Sequence, residues 1–455
     1  MQHEESPSPF RFAARALEDK RSVKSRRPKS TRHGFASMRI NAAMNLLGAA
    51  TYSLGQWGIL VVIAKWDGAS AVGTYALGLA AAAPIVLFTN LNLAGVLATD
   101  ARHDLTFGDY LSLRLMSTSL ALATIAGVAG WMFSSGRLVA AVVLVVGLAK
   151  AVDAVADIFY GRCQQFERTW PVAAGMFTNG AVSLVAVVVA TILTRNVIAA
   201  AIASAGGSSV AMLVAIYLTR RSQNDDPSRS ESSRPRLVAA NLVGLVKIAL
   251  PLGVVMCLIS LNANIPRYFI ARLLGPGTLG GFAVVASIQL LVVTVLSAVG
   301  QSFAPRMAKA FEAHRRSDFV KLLYQLLAIA LALSSALLAI SLIVGKQLLA
   351  LLFRPEYTQY QGLLILLSAV TLVGSVSMCL GFAATAARSF VKQAPVYLAT
   401  SIAIAVGCAV LIPRVGITGS AWAMFIGSAI STTGSFLIVF DRLRLIPPVT
   451  AAVPS

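Results

Sequence analysis

Long apolar runs alternate with short polar breaks along nearly the whole chain, without the two-residue alternation of strands. Each run is about 20 residues long, enough to cross a hydrocarbon core as a helix. The breaks separate twelve runs, at about 41–64, 71–97, 115–134, 138–160, 171–194, 197–218, 245–269, 280–302, 322–344, 362–386, 395–412 and 416–440. Between the sixth and seventh lies a long polar stretch, Arg220–Arg236, with five Arg, two Asp, one Glu and two Pro. Nothing in it can bury an apolar face, so it reads as a solvated linker. The pattern predicts an all-α polytopic membrane protein with twelve transmembrane helices in two six-helix lobes. Its parts are a tail at 1–40, a lobe at 41–219, a linker at 220–244, a lobe at 245–440 and a tail at 441–455.

The halves repeat. Gly68, Gly73, Tyr75 and Ala76 after the first run match Gly275, Gly280, Phe282 and Ala283 after the seventh at a constant offset. Asp109-Tyr110 before the third run echoes Asp318-Phe319 before the ninth. Arg168-x-x-Pro171-Val172 before the fifth echoes Lys392-x-x-Pro395-Val396 before the eleventh. Three matches in one order point to a duplication. Two six-span halves share one topology, so an axis along the membrane normal relates them; such pairs enclose a midplane path and rock about it.

Polar residues inside the runs mark candidate chemistry. Asn41, Asn45, Gly48, Tyr52 and Gln56 fall within an arc of about 80° on the first helix. Such a stripe faces protein or water, either as hydrogen bonds between helices or as the wall of a cavity. The second run carries Pro84 and the polar pair Asn90 and Asn92, and the loop 99–114 reads as an amphipathic interfacial helix. In the fourth run, Lys150, Asp153 and Asp157 share one face. Two readings stand for them: an ion-coupling or substrate-facing site, or a neutralised ion-pair network. Ser260, Asn264 and Arg267 form another stripe on the seventh run, where Pro266 is expected to kink or end the helix. The eighth run adds Ser287 and Gln289.

The chain is 57% hydrophobic and only 12% charged, against about 25% charged in a soluble domain. Its net charge of +20 does not indicate nucleic acid, because the basic residues sit in the tail and short loops. With the N-terminus placed in the cytoplasm, the inner segments hold 28 Lys and Arg. The outer ones hold eight: Lys65, Arg137, Arg195, Arg267, Arg272, Lys346, Arg354 and Arg414. That asymmetry puts both termini inside. Residues 1–40 hold ten Lys and Arg against four acids, with no apolar h-region, and read as a disordered cytoplasmic tail; Met38 would also serve as a start, and 1–37 are expected to be dispensable. Cys163, Cys257, Cys379 and Cys408 are scattered and imply neither a disulfide framework nor a metal site. No catalytic residues and no cofactor are expected.

The order of features resembles the polysaccharide biosynthesis flippases, the O-antigen, capsule and exopolysaccharide translocases of the multidrug/oligosaccharidyl-lipid/polysaccharide (MOP) exporter superfamily. The resemblance covers about 39–444. It is carried by Leu47, Gly48 and Tyr52, by the turn at Gly68, by the loop from Ala98, and by the run from Pro251 that reads IPRYFIARLLGPGTLGGFA after Asn264. It implies two V-shaped lobes around a central cavity in the bacterial cytoplasmic membrane. The implied substrate is an oligosaccharide on an undecaprenyl diphosphate carrier, moved to the outer leaflet by a monomer with possible proton or sodium coupling. The polar stripes suit a glycan headgroup, and Arg267 suits a diphosphate. The alternatives are a multidrug exporter of the same superfamily, which would carry a lone carboxylate in a dry aromatic cavity, and a glycan polymerase, which would need a long outer loop.

Overall fold

The computed structural model describes residues 31–100, 105–132, 136–166, 168–224 and 235–444, with side chains from Met44 onward except 45, 46 and 222–224. By contacts the chain divides into Met1–Met44 and Asn45–Ser455. In the first unit the backbone is helical from Thr31; the second holds all the other helices. Residues 1–30 and 225–234 of the linker lie outside the described residues.

Every described element is helical. They are α1 (Thr31–Trp66), α2 (Ala69–Asn90), α3 (Leu93–Thr99), α4 (Phe107–Met132), α5 (Arg137–Gln165), α6 (Trp170–Thr194) and α7 (Val197–Asn224), then α8 (Ala239–Leu273), α9 (Gly275–Glu312), α10 (Arg316–Leu352), α11 (Gln361–Ala386), α12 (Ala394–Val415) and α13 (Thr418–Arg444). A short 3-10 turn, Pro355–Tyr360, leads into α11. Twelve segments are long and apolar enough to span a membrane, α2 and α3 together forming one of them. The protein is a multi-pass α-helical membrane protein.

Three departures from the sequence pattern shape the interior. The second span is broken: Leu91 and Asn92 both take φ of 50°, the left-handed region, and part α2 from α3. The second half of the expected interfacial helix, 107–114, is instead the first two turns of α4, and 101–104 lie outside the described residues. Thr106 donates its N–H (3.0 Å) and hydroxyl (2.7 Å) to the Asp109 carboxylate, half of a capping box that starts α4 early. As a result Arg114 lies inside the lobe, with 0% of its surface exposed. Lastly, α8 runs through Pro251 and Pro266 without a break. A proline removes one hydrogen bond, whereas ending the helix there would free several backbone groups in hydrocarbon.

The repeat is visible as a reciprocal contact. Gly68 and Gly275 turn the chain with φ of 85° and 83°. One turn on, a Cβ on Gly73 would strike the carbonyl of Pro276, and one on Gly280 the carbonyl of Ala69. Pro276 is offset from Ala69 as Gly280 is from Gly73, so α2 and α9 meet about a local two-fold. Tyr75 and Phe282, equivalent in the repeat, are both buried beside the crossing. This contact closes the lobes on the face opposite the linker. Arg354 Nε reinforces it by donating to the Lys65 carbonyl (2.7 Å), and Lys65 Nζ by donating to the Leu351 carbonyl (3.4 Å). Deeper in, Pro84 has no N–H to give Ala80, four residues back, and the Tyr268 hydroxyl on α8 donates to that freed carbonyl.

Candidate functional site

A cavity of about 470 Å³ opens within the first lobe, on the linker side of its middle. The break in the second span is part of its wall. Asn90 ends α2 and Asn92 starts α3, and both line it. Interrupted membrane helices are tolerated where they border a polar site, since only there can the freed backbone be satisfied.

Two ion pairs are built into its wall. Lys150 Nζ lies 2.9 Å from Asp153 Oδ2 and donates to the Tyr52 hydroxyl at 3.3 Å. Asn179 Nδ2 donates to the other Asp153 oxygen at 2.8 Å, so that carboxylate is fully engaged. One turn along α5, Asp157 takes its cation from another helix. Arg114 Nη2 is 3.3 Å from Asp157 Oδ2, and Arg114 Nη1 donates to Asn90 Oδ1 at 2.6 Å. Arg114 is enclosed while the Asp157 side chain is 46% exposed, so the second Asp157 oxygen has access to the cavity. The three charges of α5 are therefore not one self-contained triad: Asp157 pairs outside it. With Arg114 counted, two cations match two anions and the site is neutral. Around them stand the hydrogen-bonding side chains of Tyr52, Asn90, Asn92, Tyr160 and Asn179.

A second cavity, of about 540 Å³, lies in the other lobe and has no charged lining. Its polar wall is made of hydroxyls and amides: Asn262, Ser377, Gln393, Tyr397 and Ser431 among them. Ser401 donates to Asn262 Oδ1 at 2.5 Å, and Ser377 and Ser431 share a hydrogen bond at 2.6 Å. Met256 of α8 lines both cavities, so they meet across that helix.

Arg267 lies eleven residues beyond Met256, three turns further along the same face of α8. Its Nη1 donates to Asn264 Oδ1 at 2.6 Å, and its enclosed Nε has no hydrogen-bond partner among the described residues. No carboxylate lies within ion-pair distance of it among those residues. It lines neither of these two cavities. Asn264 and Ser260 are buried beside it, Asn264 Nδ2 donating to the Ser260 carbonyl at 2.9 Å.

The other residues singled out in the sequence are placed as follows. The side chains of Asn41 and Asn45 lie outside the described residues. Gln56 is half-buried one turn beyond Tyr52. Ser287 and Gln289 are buried in α9; the Ser287 hydroxyl is spent on the Val284 carbonyl at 2.7 Å, and Gln289 Nε2 has no partner among the described residues. Sequence reasoning missed Arg114, Tyr160 and Asn179. Asn90 and Asn92 were visible as a polar pair inside an apolar run, which is the signal that marks the break.

Known proteins give the same architecture. The chain matches the family model for polysaccharide biosynthesis proteins over residues 39–311 and the MatE model over 251–413. It is 25% identical over 389 residues to the capsular polysaccharide biosynthesis protein CapF of Staphylococcus aureus, covering 85% of this chain and 94% of that one. Among solved structures, it resembles an inward-facing multidrug resistance MATE family transporter of the MOP superfamily, with TM-score 0.69, 12% identity, and coverage of 90% of this chain and 100% of that one. It also resembles a Pyrococcus furiosus MOP superfamily transporter described as having a binding pocket of reverse polarity, with TM-score 0.63, 14% identity and coverage of 90% and 96%. The polysaccharide model spans more than half of the sequence, the relative agrees with it, and the chain belongs to the polysaccharide biosynthesis protein family.

Proposed function

We propose that this protein is a flippase for oligosaccharide repeat units linked to undecaprenyl diphosphate, carrying them across the cytoplasmic membrane for capsule, exopolysaccharide or O-antigen synthesis. It would act as a monomer by rocking its lobes, with both termini in the cytoplasm. The observation that carries this reading is charge matching. Both carboxylates of the first cavity have a cation partner, Asp153 with Lys150 and Asp157 with Arg114, so no lone anion awaits a cationic drug. A neutral cavity rich in amides and hydroxyls suits a glycan, which offers many hydrogen bonds and no fixed charge. Arg267 adds a half-buried cation with no carboxylate partner among the described residues, and a guanidinium grips phosphate oxygens in a bidentate fork. Neutral pairing does not preclude coupling to an ion, since Asp157 keeps one side toward the cavity.

The test is a deletion strain. Lipid-linked repeat units are expected to build up on the inner leaflet, and surface polysaccharide to disappear. The wild-type gene should restore export. Arg267→Ala should reach the membrane yet restore none, and Arg267→Lys should restore part. If the deletion leaves export intact, or the purified protein instead drives efflux of a cationic drug, the reading fails.

A further inference from the structure

A third cavity, of about 820 Å³, is separate from the polar pair and lies between the lobes on the half of the molecule opposite the linker. Its walls are α2, the far ends of α4 and α8, and the starts of α5 and α9. They carry Leu77, Ala81, Ile85, Val128, Met132 and Leu261, none of which has a side chain that hydrogen-bonds. The Tyr268 hydroxyl in its wall is already committed to Ala80, so hydrogen-bonding groups remain only at the outer end, on Trp131 and Arg272. The charged lining group is Arg272, exposed at the last turn of α8, and Trp131 stands 77% exposed at the end of α4. An aromatic and an arginine at the end of an apolar groove mark the headgroup level of a membrane.

The position relative to the polar cavity is informative. On α2, Leu77, Ala81, Pro84 and Ile85 face the groove, while Ala83, Val86, Leu87 and Asn90 face the polar cavity. At 100° per residue these sets lie on opposite faces of the helix. The helix is thus a partition with the charged, amide-bearing cavity on one side and a mainly aliphatic one on the other. An amphiphile with a bulky polar head and a long chain needs such a pair of compartments.

We infer that this groove binds the isoprenoid chain of the carrier lipid in the outer leaflet, with a phosphate at Arg272. The inference rests on the flippase reading and adds a chain site to it, on the release side. Charge complementarity selects an anionic lipid, and the shared helix α2 selects the one whose head occupies the neighbouring cavity.

The experiment uses the full chain, purified in detergent, and a diazirine-bearing polyprenyl phosphate. Labelled peptides are located by mass spectrometry, with undecaprenyl phosphate, undecaprenol or phosphatidylglycerol as competitors. Labelling is expected within 128–139 and 261–276, with undecaprenyl phosphate competing at a tenfold or more lower concentration than phosphatidylglycerol. Ala271→Trp, which fills the groove, should cut labelling several-fold. Ala271→Leu should do so partly, and it serves as the variant if the tryptophan lowers the melting temperature. Arg272→Glu should weaken competition by the phosphate and leave that by undecaprenol unchanged. Labelling spread over other lipid-facing helices, or equal competition by phosphatidylglycerol, overturns the inference and leaves an ordinary lipid contact. The deletion strain separates the two ideas. Accumulated repeat units without groove labelling sink the chain site alone, whereas groove labelling without accumulation sinks the flippase reading.

Discussion

Arg114 and Asp157 form an unequal pair. The guanidinium is enclosed and the carboxylate reaches a cavity. Losing the anion would therefore strand a buried cation, at a cost of roughly 3–5 kcal/mol, whereas losing the cation leaves an acid that can still meet water. Asp157→Asn is expected to lower stability in detergent more than Arg114→Met, and the double variant should recover much of the loss. Additive losses in a double-mutant cycle would show that the pair is not coupled. Asp67, in the turn between α1 and α2, has both carboxylate oxygens enclosed and without hydrogen-bond partners among the described residues. Burial raises its carboxyl above the usual range, and Arg195 and Arg354 pull it back only in part. The fold thus holds the Asp67 proton more tightly than the unfolded chain. Its stabilising contribution is full below the ordinary carboxylate value, near 4, and is lost as pH rises through the raised one. The melting temperature should fall over that acid window, and Asp67→Asn should flatten the slope. An unchanged slope would exclude Asp67 as its source.

The broken second span shows what local sequence can and cannot say. Asn is the non-glycine residue most at ease in the left-handed region, so Asn92 fits its φ of 50°. Leu91 beside it has the same φ and no such preference, so packing holds it there. Asn92→Gly should keep the melting temperature near wild type. Asn92→Val, which disfavours that backbone, should cost about 1–2 kcal/mol; a neutral valine would mean that the break is not fixed by this residue. Apolar runs were enough to find every span, because backbone in hydrocarbon has no other solution. They were not enough to place Arg114. A charge directly before an apolar run reads as a boundary, and its partner lies 43 residues away on another helix. The ends of α9 and α10 were cut short for a related reason. Arg306, Lys309 and Arg315 stop the hydropathy signal while the helices continue on the linker side, with Arg315 pairing with Asp318 at 3.1 Å.

The duplication was legible as four matched residues, and the molecule uses it at the place where the lobes touch. Gly73 and Gly280 each admit the carbonyl of the other half, so no side chain fits at either. Gly73→Ala should therefore pry open the face opposite the linker. With the four native cysteines replaced, Ala283→Cys, now buried, should be protected from an impermeant maleimide on whole cells. In the Gly73→Ala background it should become reactive. Protection in both backgrounds would mean that the crossing does not gate that face, and reactivity only in inverted vesicles would reverse the orientation drawn from the basic residues.

The Tyr268 hydrogen bond has a consequence for time. It joins the lobes through a carbonyl that Pro84 has left without its own helical partner. When the lobes part, that carbonyl has no substitute unless water or a headgroup follows it in. A bond between membrane helices is worth about 0.6–2 kcal/mol, and each 1.4 kcal/mol of barrier is a factor of ten in rate. In the proposed rocking cycle, a single proline on one lobe and a single phenol on the other would thus lengthen the dwell of the closed state by a few-fold or more. Such a delay would act as a clock on turnover, one that hydration of the seam would set running faster.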